Sequence, residues 1–187
     1  MVYDPAKLRQ LPRTMLRLGV HQATAFVLVR PHYPENVGAV ARAIKTMGFT
    51  ELVLVKPSRL AQPEHEMAHK MAVKAWDVLE RAQIVATLSE ALSGFETVFS
   101  TTARRGVSHV LSPRDAAIRA VSESGQGKRL AFVFGNEKTG LSSADIELSH
   151  ERVRIPMAAD QPSINLAQAA QILAYELFVA GLAARKR

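Results

Sequence analysis

Four short polar segments hold most of the side chains able to do chemistry: residues 30–42 (RPHYPENVGAVAR), 100–105 (STTARR), 134–141 (FGNEKTGL) and 155–165 (IPMAADQPSIN). They mix amides, hydroxyls, guanidinium groups and carboxylates with glycines, a set suited to orienting a polar ligand and stabilising developing charge. With no cysteine in the chain, a thiolate nucleophile, a thiolate metal site and a disulfide framework are all excluded. Each segment follows a short apolar run. In a parallel α/β sheet, ligands collect beyond the carboxyl ends of the strands, where such loops converge.

Three local motifs compete with that picture. His65, Glu66 and His69 spell H-E-x-x-H, which on one helix face binds zinc with the glutamate as base. Pro63 places it in a first helical turn, Lys70 follows directly, and only the remote Glu90 and His109 offer a third ligand. An exposed polar helix start is the preferred reading, and a zinc-dependent hydrolase the alternative. Gly125 and Gly127 begin a G-x-G, but they precede a strand where a dinucleotide loop would follow one. Residues 135–140 (GNEKTG) have the glycine spacing of a phosphate loop, yet Leu141 and Ser142 stand where Lys and Ser/Thr are required.

The elements that must position the polar segments can be read from apolar periodicity. Residues 25–30 (AFVLVR) and 52–55 (LVLV) read as buried strands, and between them Val37, Val40, Ala41, Ile44 and Met47 keep a helical period. Asn36 is the candidate N-cap of that helix and Gly48 its C-terminal stop. This strand, helix and strand form a parallel βαβ unit. Pro63 opens a helix through Met67, Met71, Trp76 and Leu79, and residues 97–101 (TVFST) form a third strand. Ser112 and Pro113 start a helix through Ala120, residues 130–134 (LAFVF) form a fourth strand and residues 152–155 a fifth. A last helix from about Asn165 to Leu182 carries an apolar stripe that includes Leu166, Ala170, Leu173 and Leu177. Residues 122–128 read as the one flexible joint.

A length of 187 residues with 48% hydrophobic residues suits one α/β domain, residues 25–187, behind a basic leader, residues 1–24, that contains Lys7, Arg9, Arg13 and Arg17. No continuous apolar run suggests a membrane span or a signal-peptide core, so the chain reads as cytoplasmic with no membrane partner. Twenty-four Lys plus Arg against 17 Asp plus Glu give a formal charge of +7, which suits a polyanionic partner such as RNA. Aromatic residues make up only 6%, which disfavours an extended base-stacking platform of the single-strand-binding kind.

Residues 34–57 (PENVGAVARAIKTMGFTELVLVKP), 130–141 (LAFVFGNEKTGL) and 155–177 (IPMAADQPSINLAQAAQILAYEL) resemble, in order and spacing, the three motifs of the SpoU/TrmH branch of the SPOUT superfamily, and within it the TrmJ-like group. The likeness runs from about Ala25 to Ala180. It implies a parallel sheet flanked by helices, a C-terminal deep trefoil knot and a homodimer that shares its active site. General rules of chain topology predict no knot, so this expectation rests on the resemblance alone.

The implied reaction is S-adenosylmethionine-dependent methylation of an RNA ribose 2′-hydroxyl, without a metal, with tRNA as the expected substrate and its anticodon loop as a candidate region. Arg42 matches the first-motif arginine. A guanidinium keeps its proton at ordinary pH, so stabilising an alkoxide and gripping a phosphate suit it better than service as a base. Asn36, Ser163 and Asn165 are the other catalytic or orienting candidates, with Asn36 and Asn165 also able to cap their helices. Glu137 is expected to hold an arginine or to cap beside the Gly140 turn. The resemblance places the cofactor against Thr101, Phe134, Gly135, Asn136, Glu137, Gly140, Ile155, Pro156, Met157, Ser163, Ile164 and Leu166, largely through backbone groups. TrmJ-like proteins carry a C-terminal extension that aids dimerisation and RNA binding, and here the basic leader is the candidate substitute. A third reading, beside the methyltransferase and the zinc hydrolase, is an RNA-binding relative without catalysis.

Overall fold

Residues 16–104, 106–159 and 161–185 are described by the computed structural model. Lys7, Arg9 and Arg13 of the leader, together with Arg105, Asp160, Lys186 and Arg187, lie outside those residues.

The apolar runs become the centre of a seven-stranded parallel sheet. Its strands are β1 (Thr24–Val29), β2 (Glu51–Val55), β3 (Gln83–Val85), β4 (Thr97–Thr101), β5 (Val110–Leu111), β6 (Leu130–Phe134) and β7 (Glu151–Val153), in the order β3-β2-β1-β6-β4-β7-β5. Every residue of β1 and β6 is buried, as expected of parallel strands covered on both faces. Alternate residues serve two cores. Phe26, Leu28, Leu54, Phe99, Phe132 and Phe134 face one side, with Phe99 and Phe132 stacked at 4.6 Å and Phe26 and Phe134 at 5.9 Å. Val27, Val29, Val53, Val98 and Val133 face the other.

On the aromatic side lie α1 (Gly19–Ala23), α2 (Pro34–Thr46), α3 (Glu66–Ala72), α4 (Trp76–Glu80), α6 (Pro113–Ser124) and α8 (Leu166–Ala184), while α5 (Leu88–Ala91) and α7 (Ser143–Glu147) cover the valine side. Leu18 and Val20, from the stretch read as leader, are buried in the aromatic-side core.

Several local expectations need correction. The helix over residues 63–79 is two helices, because Val73 adopts φ 53° between α3 and α4, a conformation that no helix accommodates. The N-cap of α2 is Tyr33 with Pro34 in the first turn, and Asn36 lies inside the helix, free for other partners. The fifth strand ends at Val153, and the short strands β3 and β5 join the sheet edges. Residues Ser122 and Ser124 belong to α6 rather than to a joint. The caps at Ser112 and Asn165 form as read, and Gly48 follows α2 with φ 93°.

One helix does reach membrane-spanning length. At 19 residues α8 is long and apolar enough by composition, but Leu166, Ala170, Leu173, Ala174 and Leu177 are spent on the core, where α8 packs against α2 and α6.

Candidate functional site

Between β1 and β6 the chain reverses its direction of travel across the sheet, because β1 leads outward to β2 and β3 while β6 opens the other half. Loops leaving the carboxyl ends of neighbouring strands diverge at such a point and leave a crevice. Beside it, past the ends of β4, β6 and β7, lies a cavity of about 330 Å³, near the lower end of the range of about 300–1,000 Å³ usual for ligand sites.

Three loops wall the cavity. Thr101, Thr102 and Arg104 come from the first, Gly135, Asn136, Glu137, Lys138 and Gly140 from the second, and Ile155, Met157, Ser163 and Ile164 from the third. Phe134, Ile146, Leu166 and Ala169 supply apolar wall. Of the twelve cofactor candidates, eleven line this one space, and the exposed Pro156 does not.

The second loop is held by its own backbone. Asn136 accepts at its carbonyl from Gly140 N (2.8 Å) and at its side-chain oxygen from Lys138 N (2.9 Å), while its amide donates to the Arg30 carbonyl (2.6 Å). Gly140 turns the chain at φ 67°. A Cβ on Gly135 would sit 2.3 Å from the Gly140 carbonyl carbon and the Leu141 nitrogen, so only glycine permits this closure. Arg104 then ties the first loop to the second by donating to the Leu141 carbonyl at 2.6 Å.

A relay of side chains crosses the rim. The Glu137 carboxylate accepts from the backbone nitrogens of His32 (2.9 Å) and Tyr33 (3.2 Å) and from the Asn36 amide (2.9 Å). Its charge thus lies at the positive end of α2, where a helix favours an anion. Asn36 in turn accepts from the Asn165 amide at 2.9 Å, and the Asn165 oxygen caps α8 through Ala167 N (2.9 Å) and Gln168 N (3.3 Å). Residues from all three polar motifs therefore form one connected unit. Among the described residues the partners of Glu137 are the start of α2 and Asn36, and no arginine contacts it. Asn165 acts as cap and bridge at once, because its oxygen and nitrogen serve different partners.

Arg42 stands apart. It is exposed on α2, six residues beyond Asn36 and so about 9 Å further along the axis. It does not line the cavity, and among the described residues no carboxylate pairs with it. Ser163 lines the cavity without joining the relay.

Sequence reading missed Arg30. Its guanidinium grips Asp145 on α7, while its carbonyl, at φ 52°, receives Asn136, so it fastens both ends of the second loop to β1. Burial alone would raise the Asp145 carboxyl, but hydrogen bonds from Arg30 and Ser142 outweigh it and hold the group below the usual carboxylate range. The basic residue at the end of β1 was the only local signal.

The zinc reading is not favoured by the geometry of the described residues. His65 is the N-cap of α3 in extended conformation, and its Nδ1 is taken by Met67 N at 3.1 Å rather than offered to a metal. Among the described residues no group of three His, Asp or Glu side chains is arranged to hold a metal ion.

Comparison with known proteins agrees with the geometry. The SpoU rRNA Methylase family model matches residues 23–175. The chain is 42% identical over 168 residues, 89% of its length, to a tRNA (cytidine/uridine-2′-O-)-methyltransferase TrmJ of Klebsiella pneumoniae, and it spans 67% of that relative. A probable methyltransferase of Bordetella pertussis superposes with TM-score 0.81 at 39% identity, covering 87% of this chain and 97% of that one. TrmJ of Z. mobilis superposes at 0.76 with 34% identity, covering 84% and 69%.

Proposed function

This chain belongs to the SpoU rRNA methylase family, and on that premise we propose that it is an S-adenosylmethionine-dependent RNA 2′-O-ribose methyltransferase acting on tRNA. The observation that carries the proposal is the Glu137–Asn36–Asn165 relay, which sets amide groups of fixed orientation at the rim of a loop-walled cavity. The TrmJ relatives of similar length coverage are named for the same reaction on cytidine and uridine of tRNA.

The residues present fit the cofactor. Glycine at 135 and 140 keeps side chains out of the loop so that its backbone borders the cavity, and Phe134, Ile155 and Leu166 offer apolar contact for the adenine. When bound, S-adenosylmethionine supplies a methyl group on a sulfonium, a strong electrophile that needs no metal.

The chain's own work is positioning and electrostatics. Asn36 and Asn165 orient the ribose, since each amide is already polarised by a fixed partner. Arg42 stabilises the oxygen as its proton leaves and grips a neighbouring phosphate. A homodimer that shares the active site gives the exposed Arg42 a cavity to serve, and a trefoil knot threads the loops after β4, β6 and β7. The exposed Arg17 belongs to the RNA-facing surface. The protein works in the cytoplasm, where tRNA is found.

Calorimetry with S-adenosylmethionine, followed by nuclease digestion and mass spectrometry of tRNA treated with the protein, tests this reading. A 2′-O-methylnucleotide is expected, with Arg42→Ala lowering kcat about 100-fold at unchanged cofactor affinity. Wild-type protein that binds no S-adenosylmethionine overturns it.

A further inference from the structure

Tyr33 is an exposed aromatic residue, 42% accessible, at the N-terminus of α2, three positions before Asn36. Its backbone is fixed on both sides. The Tyr33 nitrogen donates to Glu137, its carbonyl accepts from Asn36 N at 3.2 Å, and Pro34 confines it to extended dihedrals, found at φ −107° and ψ 127°.

The ring is also dressed for an electron-rich, anionic ligand. His32 meets it edge-on at 4.7 Å, and the Lys138 ammonium lies 5.4 Å from its centroid and 3.2 Å from His32 Nε2. Lys138 also lines the cavity, so the ring and the cavity adjoin across one side chain. Glu137 anchors the backbone of Tyr33 and the amide of Asn36 with the same carboxylate oxygen. The spacing between this ring and the ribose-orienting amides is therefore set by a single group.

The ring stays exposed although the backbone that carries it is fixed, so burial in the core does not explain it. Proteins that recognise unpaired RNA stack splayed-out bases on such rings, and a cation beside the stack meets the phosphate or a base carbonyl. Resting on the methyltransferase reading, we propose that Tyr33, with His32 and Lys138, is the platform on which the unpaired base of the methylated nucleotide stacks. The platform selects an extruded nucleotide over a paired one, because a base within a helix has no free face to offer.

The test uses the full chain and unmodified tRNA. The methylated nucleotide is first mapped with wild-type protein, and a stem-loop RNA carrying it is made in two forms, intact and abasic at that nucleotide with the ribose hydroxyl retained. Tyr33→Ala raises KM for the intact RNA about 10-fold or more, leaving affinity for S-adenosylmethionine unchanged, and Tyr33→Phe, which keeps the ring, recovers the wild-type KM. On the abasic RNA, wild type and Tyr33→Ala become equal, because the contact is already gone. Equal KM values on intact RNA, or a Tyr33→Ala effect of the same size on abasic RNA, overturn the platform while leaving the methyltransferase reading standing. Wild-type protein that methylates no nucleotide overturns both.

Discussion

The side-chain amide of Asn165 donates to the side-chain oxygen of Asn36 across 2.9 Å, joining positions 129 residues apart. Neither group is free to turn. Asn36 is held from its other end by Glu137, and Asn165 from its own by the first turn of α8. The start of α2, the loop after β6 and the start of α8 are thus set against one another by the contacts that Asn36 makes with Glu137 and Asn165. A group lying against this relay meets donors and acceptors whose directions were fixed before it arrived, so little reorganisation remains to be done during the reaction.

Replacing Asn36 by Asp removes the donor to Glu137 and sets a second carboxylate beside the first. The two charges repel and the rim opens. Methyl transfer should fall about 100-fold in kcat, the cost of a misplacement near 1 Å, while calorimetric affinity for S-adenosylmethionine changes little, since Asn36 does not line the cavity. A kcat close to wild type would show that the relay does not orient the reacting groups.

Gly135→Ala addresses the cavity itself. The new Cβ would meet the backbone of Gly140 and Leu141 at 2.3 Å, and backbone cannot rotate away as a side chain can. The loop must widen, at a cost of about 1–3 kcal/mol. Cofactor affinity should weaken at least about 10-fold, with the melting temperature lowered by several degrees, roughly 2–4 °C for each kcal/mol. Gly19→Ala is the control, having nothing within 4 Å of its added carbon, and should leave both quantities alone. Unchanged cofactor affinity in Gly135→Ala would place the ligand elsewhere.

What could be read in the sequence follows from how local each signal is. The runs at β1 and β6 declare buried parallel strands because every residue is apolar or small, and Ser112 and Asn165 announce their helices because a cap is a contact within three residues. The convergence of polar loops could be inferred from strand ends alone. By contrast, β3 and β5 are three and two residues long, too short to show a period, and the left-handed Val73 that splits α3 from α4 carries no local sign. Asn36 misled for a related reason. An Asn followed by an apolar period satisfies the capping rule, but the helix had already begun at Pro34, and the partner that claims the Asn36 amide is Glu137, 101 positions away. The Arg30–Asp145 pair was equally hidden, at a separation of 115.

His21 makes stability depend on pH in a window of its own. The ring is buried beside α2, edge-on to Phe49 at 4.8 Å, and its Nδ1 accepts from Leu18 N at 3.2 Å. Burial pushes its pKa below the ordinary value, outweighing the opposing Leu16 carbonyl. The unfolded chain therefore binds a proton at about pH 6.5 while the native protein still resists it, and stability falls as pH drops through that value toward the native pKa. Above the window the neutral ring keeps its full contribution. Glu123 and Asp145, whose carboxyls are held low, act in the opposite range, losing their contribution only below about pH 4. The melting temperature should accordingly drop between about pH 7.5 and about pH 5.5. His21→Asn, which keeps an acceptor near Leu18 N but cannot titrate, should flatten that drop while lowering stability throughout. An equally steep decline in the variant would assign the acid sensitivity to another group.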